Sequence, residues 1–131
     1  MTKLAMRPVK LLDIFLLALL VVGCGVRDKT TLEKALIGHW VTVGNGGSHY
    51  YFDQSSLVMV DVGRKMDQSY TVLESNEKEG WIKIRVRTGY GVGHDKKLVF
   101  SPNRDSLLEY AEFMGIITNT RWDYVDGKKK P

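Results

Sequence analysis

From residue 37 to residue 125 the chain alternates apolar and polar side chains, and turn-forming residues interrupt this pattern about every 8–12 positions. The alternation is clearest in segment 81–88, where apolar side chains alternate with basic ones: Ile82, Lys83, Ile84, Arg85, Val86 and Arg87. A strand of this kind buries one face against a core and exposes the other, as in an antiparallel sheet. The pattern therefore predicts an all-β domain.

The turn positions predict about eight short strands, and a Gly-rich loop is expected over 89–95. The strands are expected at residues 37–43, 48–52, 57–62, 70–74, 81–88, 97–100, 107–113 and 115–125. Before them, Leu32, Ala35 and Leu36 have the spacing of a short helical turn. Sequential short strands with short turns favour a small antiparallel up-and-down barrel or a strongly curled meander.

The first 23 residues are typical of an export signal. Three basic residues precede an apolar run, Leu11–Val22, that only Asp13 interrupts. This run is shorter than the ~20 residues that a helix needs to cross a bilayer. Residues 1–23 are therefore interpreted as a signal peptide, and a permanent transmembrane helix is the weaker alternative.

The signal ends at the only cysteine of the chain, Cys24, in the sequence Val21-Val22-Gly23-Cys24. This motif resembles the lipobox of bacterial lipoproteins. The resemblance implies cleavage between Gly23 and Cys24 and a diacylglycerol on the Cys24 sulfur, which tethers the protein to a membrane without a spanning helix. Residues 24–36 then form a tether and the helical turn. The predicted location is the cell envelope. In a Gram-negative bacterium, Gly25 favours the periplasmic face of the outer membrane.

The formal net charge of +4 comes from the leader and from a C-terminal basic tail, residues 127–131. The part between them, a predicted β domain over 37–126, is close to neutral. This distribution argues against a surface that binds nucleic acid.

A second resemblance concerns the barrel itself. Gly38-His39-Trp40 lies at the start of the first strand, and Arg121 lies on the last one. The pair resembles the signature of lipocalin-like (calycin) barrels. In those barrels the indole of a Gly-x-Trp packs under a basic residue from the last strand. The resemblance implies that Gly38, Trp40 and Arg121 close one end of the barrel. Strands this short imply an interior filled mostly by side chains, with room for one small ligand.

Candidate contact residues are few. Tyr90 and His94 are in the expected Gly-rich loop, and loops of this kind often carry binding residues. The basic stripe of Lys83, Arg85 and Arg87 could meet an anionic head group or an acidic partner, or it could serve only as a solvated face. The three histidines are scattered, so neither a metal nor another cofactor is expected. No catalytic motif is recognised, and an enzyme is not expected.

Three functions remain open from the sequence. The first is a membrane-tethered, non-catalytic binding or accessory module for a small apolar ligand or an envelope protein. The second is a structural scaffold with a filled core and no ligand. The third and weakest is an exported protease inhibitor, because the lipid would occupy the N-terminus. An aromatic-lined cavity above ~300 Å³ would favour a ligand.

Overall fold

The structure is a computed structural model that describes Arg27, residues 30–44 and residues 47–131. The predicted signal peptide with its cleavage site, Cys24, and most of the predicted tether lie outside the described residues. Two residues of the first predicted turn, Asn45 and Gly46, lie outside them as well. In the described part of the chain, no helix has the length and apolar character needed to cross a bilayer.

Eight antiparallel strands pair in sequence order, and β8 pairs with β1 to close the barrel. The strands are β1 Gly38–Thr42, β2 His49–Phe52, β3 Ser56–Asp61, β4 Arg64–Asn76, β5 Trp81–Arg87, β6 Gly93–Phe100, β7 Ser106–Phe113 and β8 Ile116–Asp126. The predicted all-β fold with about eight strands is confirmed. Of the two predicted architectures, the closed barrel is the one formed.

A short helix covers one end of the barrel. Helix α1, Leu32–Leu36, begins at Thr31, whose hydroxyl accepts the amide of Lys34. Its apolar face is buried in the same core as the strands. The buried core residues are Leu32, Ala35, Leu36, Trp40, Tyr50, Phe52, Leu57, Tyr70, Ile82, Ile84, Val86, Leu98, Phe100, Leu107 and Trp122. The helical turn expected from the sequence therefore contributes to the core.

The up-and-down order distributes the turns between two ends. We call the end covered by α1 the helix end; it also holds the turns after Phe52, Asn76 and Phe100, and the C-terminus. We call the opposite end the far end; it holds the turns after Thr42, Asp61, Arg87 and Phe113. The two ends differ in the polarity of the side chains that they hold.

Two predicted boundaries are wrong. Strand β4 begins at Arg64 rather than at residue 70, because its polar first half pairs along the whole of β3. Residues 93–95 belong to β6 rather than to the expected loop over 89–95. Asp95 lies opposite Arg85 in the ladder and forms an ion pair with it, so pairing extends the strand beyond its apolar part.

Gly38 is held in a conformation that an alanine would strain. Its φ is +129°, and a Cβ at this position would lie 2.6 Å from the backbone oxygen of Asp126. We expect Gly38→Ala to lower the free energy of unfolding by about 1–3 kcal/mol, measured by urea denaturation. Gly89→Ala is the matched control, because no described atom lies within 4 Å of its added Cβ. Equal midpoints for the two variants would contradict the assigned close approach.

Candidate functional site

The helix end is held by Arg27, a residue that the sequence analysis did not single out. Its guanidinium donates to the backbone oxygens of Arg104, at 2.6 and 3.1 Å, and of Ala35, at 3.1 Å. The same group lies 3.4 Å from the ring centroid of Tyr124 and 5.6 Å from that of Trp40. Arg27 thus links the N-terminal segment to the β6–β7 turn, to α1 and to two aromatic rings of the barrel.

The predicted contact between Trp40 and Arg121 is wrong. Trp40 points inward and is fully buried, and its indole nitrogen donates to the backbone oxygen of Leu36 at 2.9 Å. Arg121 lies on the outer face of β8, where its side chain is 60% exposed and pairs with Asp123 at 3.0 Å. Alternate residues of a strand face opposite sides of the sheet, so the register of β8 separates the two. The cation over Trp40 comes from Arg27 instead.

The middle of the barrel is filled by aromatic rings. Tyr50 stacks on Trp122 at a centroid distance of 4.4 Å, and Phe52 lies 5.9 Å from the same indole. Phe52 also meets Tyr70 edge to face at 5.3 Å. The Trp122 indole nitrogen is buried and has no hydrogen-bond partner among the described residues. The rings therefore pack the core, and one polar atom within it lacks a partner.

An ion pair lies inside the barrel on the far-end side of this stack. Lys96 Nζ is 2.8 Å from Glu109 Oε1, and the two side chains are 20% and 10% exposed. Lys96 also lies 5.9 Å from the ring centroid of Tyr50. Burial, with a further contribution from Glu109, raises the pKa of Tyr50 to about 12, so this hydroxyl stays protonated at neutral pH. The interior therefore changes from apolar at the helix end to polar toward the far end.

The predicted basic stripe lies on the outer wall, with its three members in different settings. Arg85 is neutralised by Asp95 through hydrogen bonds of 2.7 and 3.1 Å. Lys83 lies opposite Lys97 in the ladder and lines a shallow groove of about 570 Å³ on this wall. Arg87 is exposed near the far end. The stripe is therefore not a single cationic surface.

Tyr90 and His94 are separated by the corrected boundary of β6. Tyr90 is 96% exposed in the turn between β5 and β6. His94 is part of β6, opposite Val86. Tyr90 therefore lies in a loop, as expected, whereas His94 lies in a strand.

A pair of histidines lies on the outer wall between β1 and β2. His39 Nε2 and His49 Nδ1 are 2.8 Å apart, so one ring donates a hydrogen bond to the other. His39 also stacks on Tyr51 at 4.2 Å, and its Nδ1 is 3.9 Å from Asp126. The described residues contain no group of three or more His, Cys, Asp or Glu side chains arranged to hold a metal ion.

This pair should make stability depend on pH. Burial first, and then the neighbouring His49 and Lys128, lower the pKa of His39 below its usual 6.5, while Asp126 opposes them. Below pH 6.5 the unfolded chain therefore binds a proton at His39 that the folded chain does not bind. We expect the free energy of unfolding to fall as pH drops through 6.5 toward the folded-state pKa.

The measurement is urea denaturation at a series of pH values between 7.5 and 4.5. His39→Phe keeps an aromatic ring against Tyr51 and removes the titrating group, so its profile should be flatter than that of the wild type. His94→Phe, at an exposed histidine, is the control and should keep the wild-type slope. Parallel profiles for wild type and His39→Phe would contradict the role assigned to His39.

Comparisons with protein-family models, with curated proteins and with solved structures find no match. The fold alone therefore defines the class of this protein. It is a small, closed, eight-stranded antiparallel barrel with an aromatic core, one end locked by a helix and an arginine, and a more polar opposite half.

Proposed function

We propose that this protein is a bacterial envelope lipoprotein, anchored through lipid on Cys24, whose barrel is a non-catalytic accessory module for an envelope protein. In a Gram-negative bacterium, its place would be the periplasmic face of the outer membrane. The single observation that carries the proposal is the position of Arg27, which is fixed to the helix end three residues after Cys24.

This spacing determines how the barrel would sit on a membrane. Three residues reach at most about 11 Å even when fully extended. The lipidated cysteine would therefore hold the helix end close to the bilayer surface. The far end, on the other side of the barrel, would then face away from that bilayer.

The C-terminal tail supports the same orientation. Strand β8 runs toward the helix end, so Lys128, Lys129 and Lys130 leave the barrel on the side where the lipid would be. All three are exposed. Each lysine near an anionic lipid surface contributes about 1 kcal/mol of attraction. Anchor and tail would thus act on one membrane surface.

The packed aromatic core favours a protein partner over a carried apolar ligand. Tyr50, Phe52 and Trp122 occupy the region in which an apolar ligand would have to lie. A scaffold with a filled core is compatible with the same packing, and it differs from an accessory module only in what it holds together. A protease inhibitor that acts through its N-terminus is disfavoured, because Arg27 fixes that segment to the barrel.

A second candidate is a small ligand with a hydrogen-bond acceptor inside the barrel. The unpartnered indole nitrogen of Trp122 favours it, because a buried donor without an acceptor costs about 1–3 kcal/mol. Native mass spectrometry of protein extracted from its membrane in mild detergent tests this candidate. A bound mass that disappears in Trp122→Phe would support it, and the unliganded mass alone would remove it.

Metabolic labelling with an alkyne fatty acid, followed by intact-mass measurement, tests the anchor. We expect the mature chain to begin at Cys24 with added acyl mass, and Cys24→Ser to lose the label. The orientation is tested with a bimane-labelled amino acid introduced at Asn103, in the β6–β7 turn of the helix end, or at Val62, at the far end. Spin-labelled lipids should quench the probe at Asn103 more than the probe at Val62. An unmodified Cys24, or a retained leader, would refute the proposal.

A further inference from the structure

Exposed apolar side chains are concentrated at the far end of the barrel. They lie on all four of its hairpins, and six of them, which we call the apolar tips, are at or next to a turn. The apolar tips are Val43, Val62, Tyr90, Val92, Met114 and Ile116, between 52% and 96% exposed. Four separate hairpins thus carry large exposed apolar groups at the same end of the barrel.

Two of these tips occupy positions where apolar residues are unfavourable. Val62-Gly63 and Met114-Gly115 are two-residue turns, because Asp61 pairs with Arg64 and Phe113 pairs with Ile116. Val62 has φ 48° and Met114 has φ 51°, and both glycines that follow also have positive φ. A turn of this type prefers asparagine, aspartate or glycine at the first position. Valine and methionine therefore add strain and exposure at positions outside the core cluster of the described residues, and such a conflict indicates function.

We infer that the apolar tips form a docking surface for the envelope-exposed part of another protein, which offers an apolar recess flanked by carboxylates. This inference rests on the proposed function, because the short lipid anchor on Cys24 would keep the helix end at the membrane and so limit which surfaces the far end can contact. The barrel formed by the described strands is closed and offers no free edge for strand addition, and the most exposed apolar side chains available for a contact are those of the tips.

The anchoring membrane itself does not fit as the occupant. The tips surround the barrel axis, so they meet a flat bilayer together only if the barrel stands on its far end. A strand of seven residues such as β5 then separates the two ends by roughly 15–20 Å, since each residue rises about 3.3 Å along a tilted strand. Arg27 is three residues after Cys24, and this length of chain reaches at most about 11 Å. The anchor could not return to the same bilayer.

A second copy of the chain is also disfavoured. Two copies anchored in one membrane present their far ends in the same direction, so the tips of one cannot face the tips of the other. The charges near the tips point to the chemistry of a different partner. Arg64, Lys65 and Arg87 lie within three residues of a tip, as do Asp61, Asp95 and Glu112. Asp95 is already paired with Arg85 on the outer wall. Asp61 lies opposite Arg64 in the ladder, so these two opposite charges are neighbours. Lys65 and Arg87, against Glu112 alone, are then the cations that carboxylates of the partner would meet.

The test uses the full chain expressed in its native host, with a photo-crosslinking amino acid at Tyr90 or, in a separate strain, at Asn103. We expect Tyr90 to give an adduct with one protein and Asn103 to give adducts with lipid. The paired variant Val62→Asn/Met114→Asn replaces the strained residues with the residue that these turns prefer. Its melting temperature should rise by about 4 °C or more, while the adduct yield at Tyr90 falls at least tenfold.

Once mass spectrometry identifies the adduct, the purified pair provides the second measurement. Val62→Asn/Met114→Asn should raise the dissociation constant at least tenfold, and Lys65→Glu/Arg87→Glu should also weaken binding. Glu74→Lys, an exposed charge change near the helix end, is the control and should leave binding unchanged. Adducts at Tyr90 with lipid or with a second copy of the chain would overturn the inference, as would binding that the tip variants do not alter.

The outcomes also separate this inference from the proposed function. If intact mass shows lipid on Cys24 but Tyr90 yields no protein adduct, the docking surface is wrong and the anchor stands. If Cys24 is unmodified and the Tyr90 adduct remains sensitive to Val62→Asn/Met114→Asn, the anchor is wrong and the docking surface stands.

Discussion

Trp40→Ala should lower the free energy of unfolding by about 3–5 kcal/mol. The indole is fully buried, donates to the Leu36 oxygen and meets Phe100 and Tyr124 edge to face at 5.9 and 5.3 Å. Its removal leaves a cavity between helix and barrel, and it takes away one of the two rings beneath Arg27. Urea denaturation followed by far-ultraviolet circular dichroism measures the loss.

Two further variants test the loss of stability expected for Trp40→Ala. One separates the packing of the indole from its hydrogen bond, and the other is a control. Trp40→Phe retains most of the apolar packing but loses the hydrogen bond to Leu36, so its stability should lie between those of wild type and Trp40→Ala. Trp81→Ala is the control at an outer-wall tryptophan, whose partners are Glu79 and Lys97. Its loss should be about 1 kcal/mol. If Trp40→Ala costs no more than Trp81→Ala, the helix end is not the stabilising lock described above.

The second large effect is expected from the buried ion pair. Glu109→Leu should lower the free energy of unfolding by about 3 kcal/mol, because it leaves the Lys96 ammonium without its carboxylate in a mostly buried position. Lys96→Met should lower the free energy of unfolding by a similar amount, because it leaves the Glu109 carboxylate without its cation in a buried position. The double variant should recover most of the loss, because two apolar side chains leave no uncompensated charge.

A double-mutant cycle measured by urea denaturation gives the coupling between the two side chains. The exposed pair Arg85–Asp95, whose side chains are 43% and 41% exposed, is the matched control. Deleting either member of it should cost less than about 1 kcal/mol, since solvent screens such pairs. Additive losses at Lys96 and Glu109 would show that the interior pair does not act as a unit.

The sequence predicted those parts of the fold that depend on local patterns. In β5, alternation alone identified Ile82, Ile84 and Val86 as core residues, and all three are buried. In α1, the spacing of the apolar residues identified the buried face of a five-residue helix. The number of strands followed from the turns, because glycine, asparagine and proline mark where a strand must end.

Features that depend on register were not predictable in the same way. The first half of β4, residues 64–69, shows no alternation, because it is held by pairing with β3 rather than by burial. The sequence does not identify Lys96 and Glu109 as a pair; the pairing of β6 with β7 brings them together inside the barrel. The basic partner of Trp40 was expected from the last strand, yet it is Arg27, which precedes α1. Only the resemblance to calycin barrels indicated that some cation should cover that indole.

Closure of the barrel has a consequence for biogenesis. Thr42 of β1 is paired with Trp122 of β8, so the ladder is completed only when β8 has emerged after the seven other strands during synthesis or export. Bringing together segments about 80 residues apart costs roughly 4 kcal/mol of chain entropy, and such long-range contacts slow folding. Until β8 arrives, the edges of β1 and β7 remain unpaired and prone to aggregation. A chain that ends before residue 122 would therefore remain an open sheet and a target for quality-control proteases.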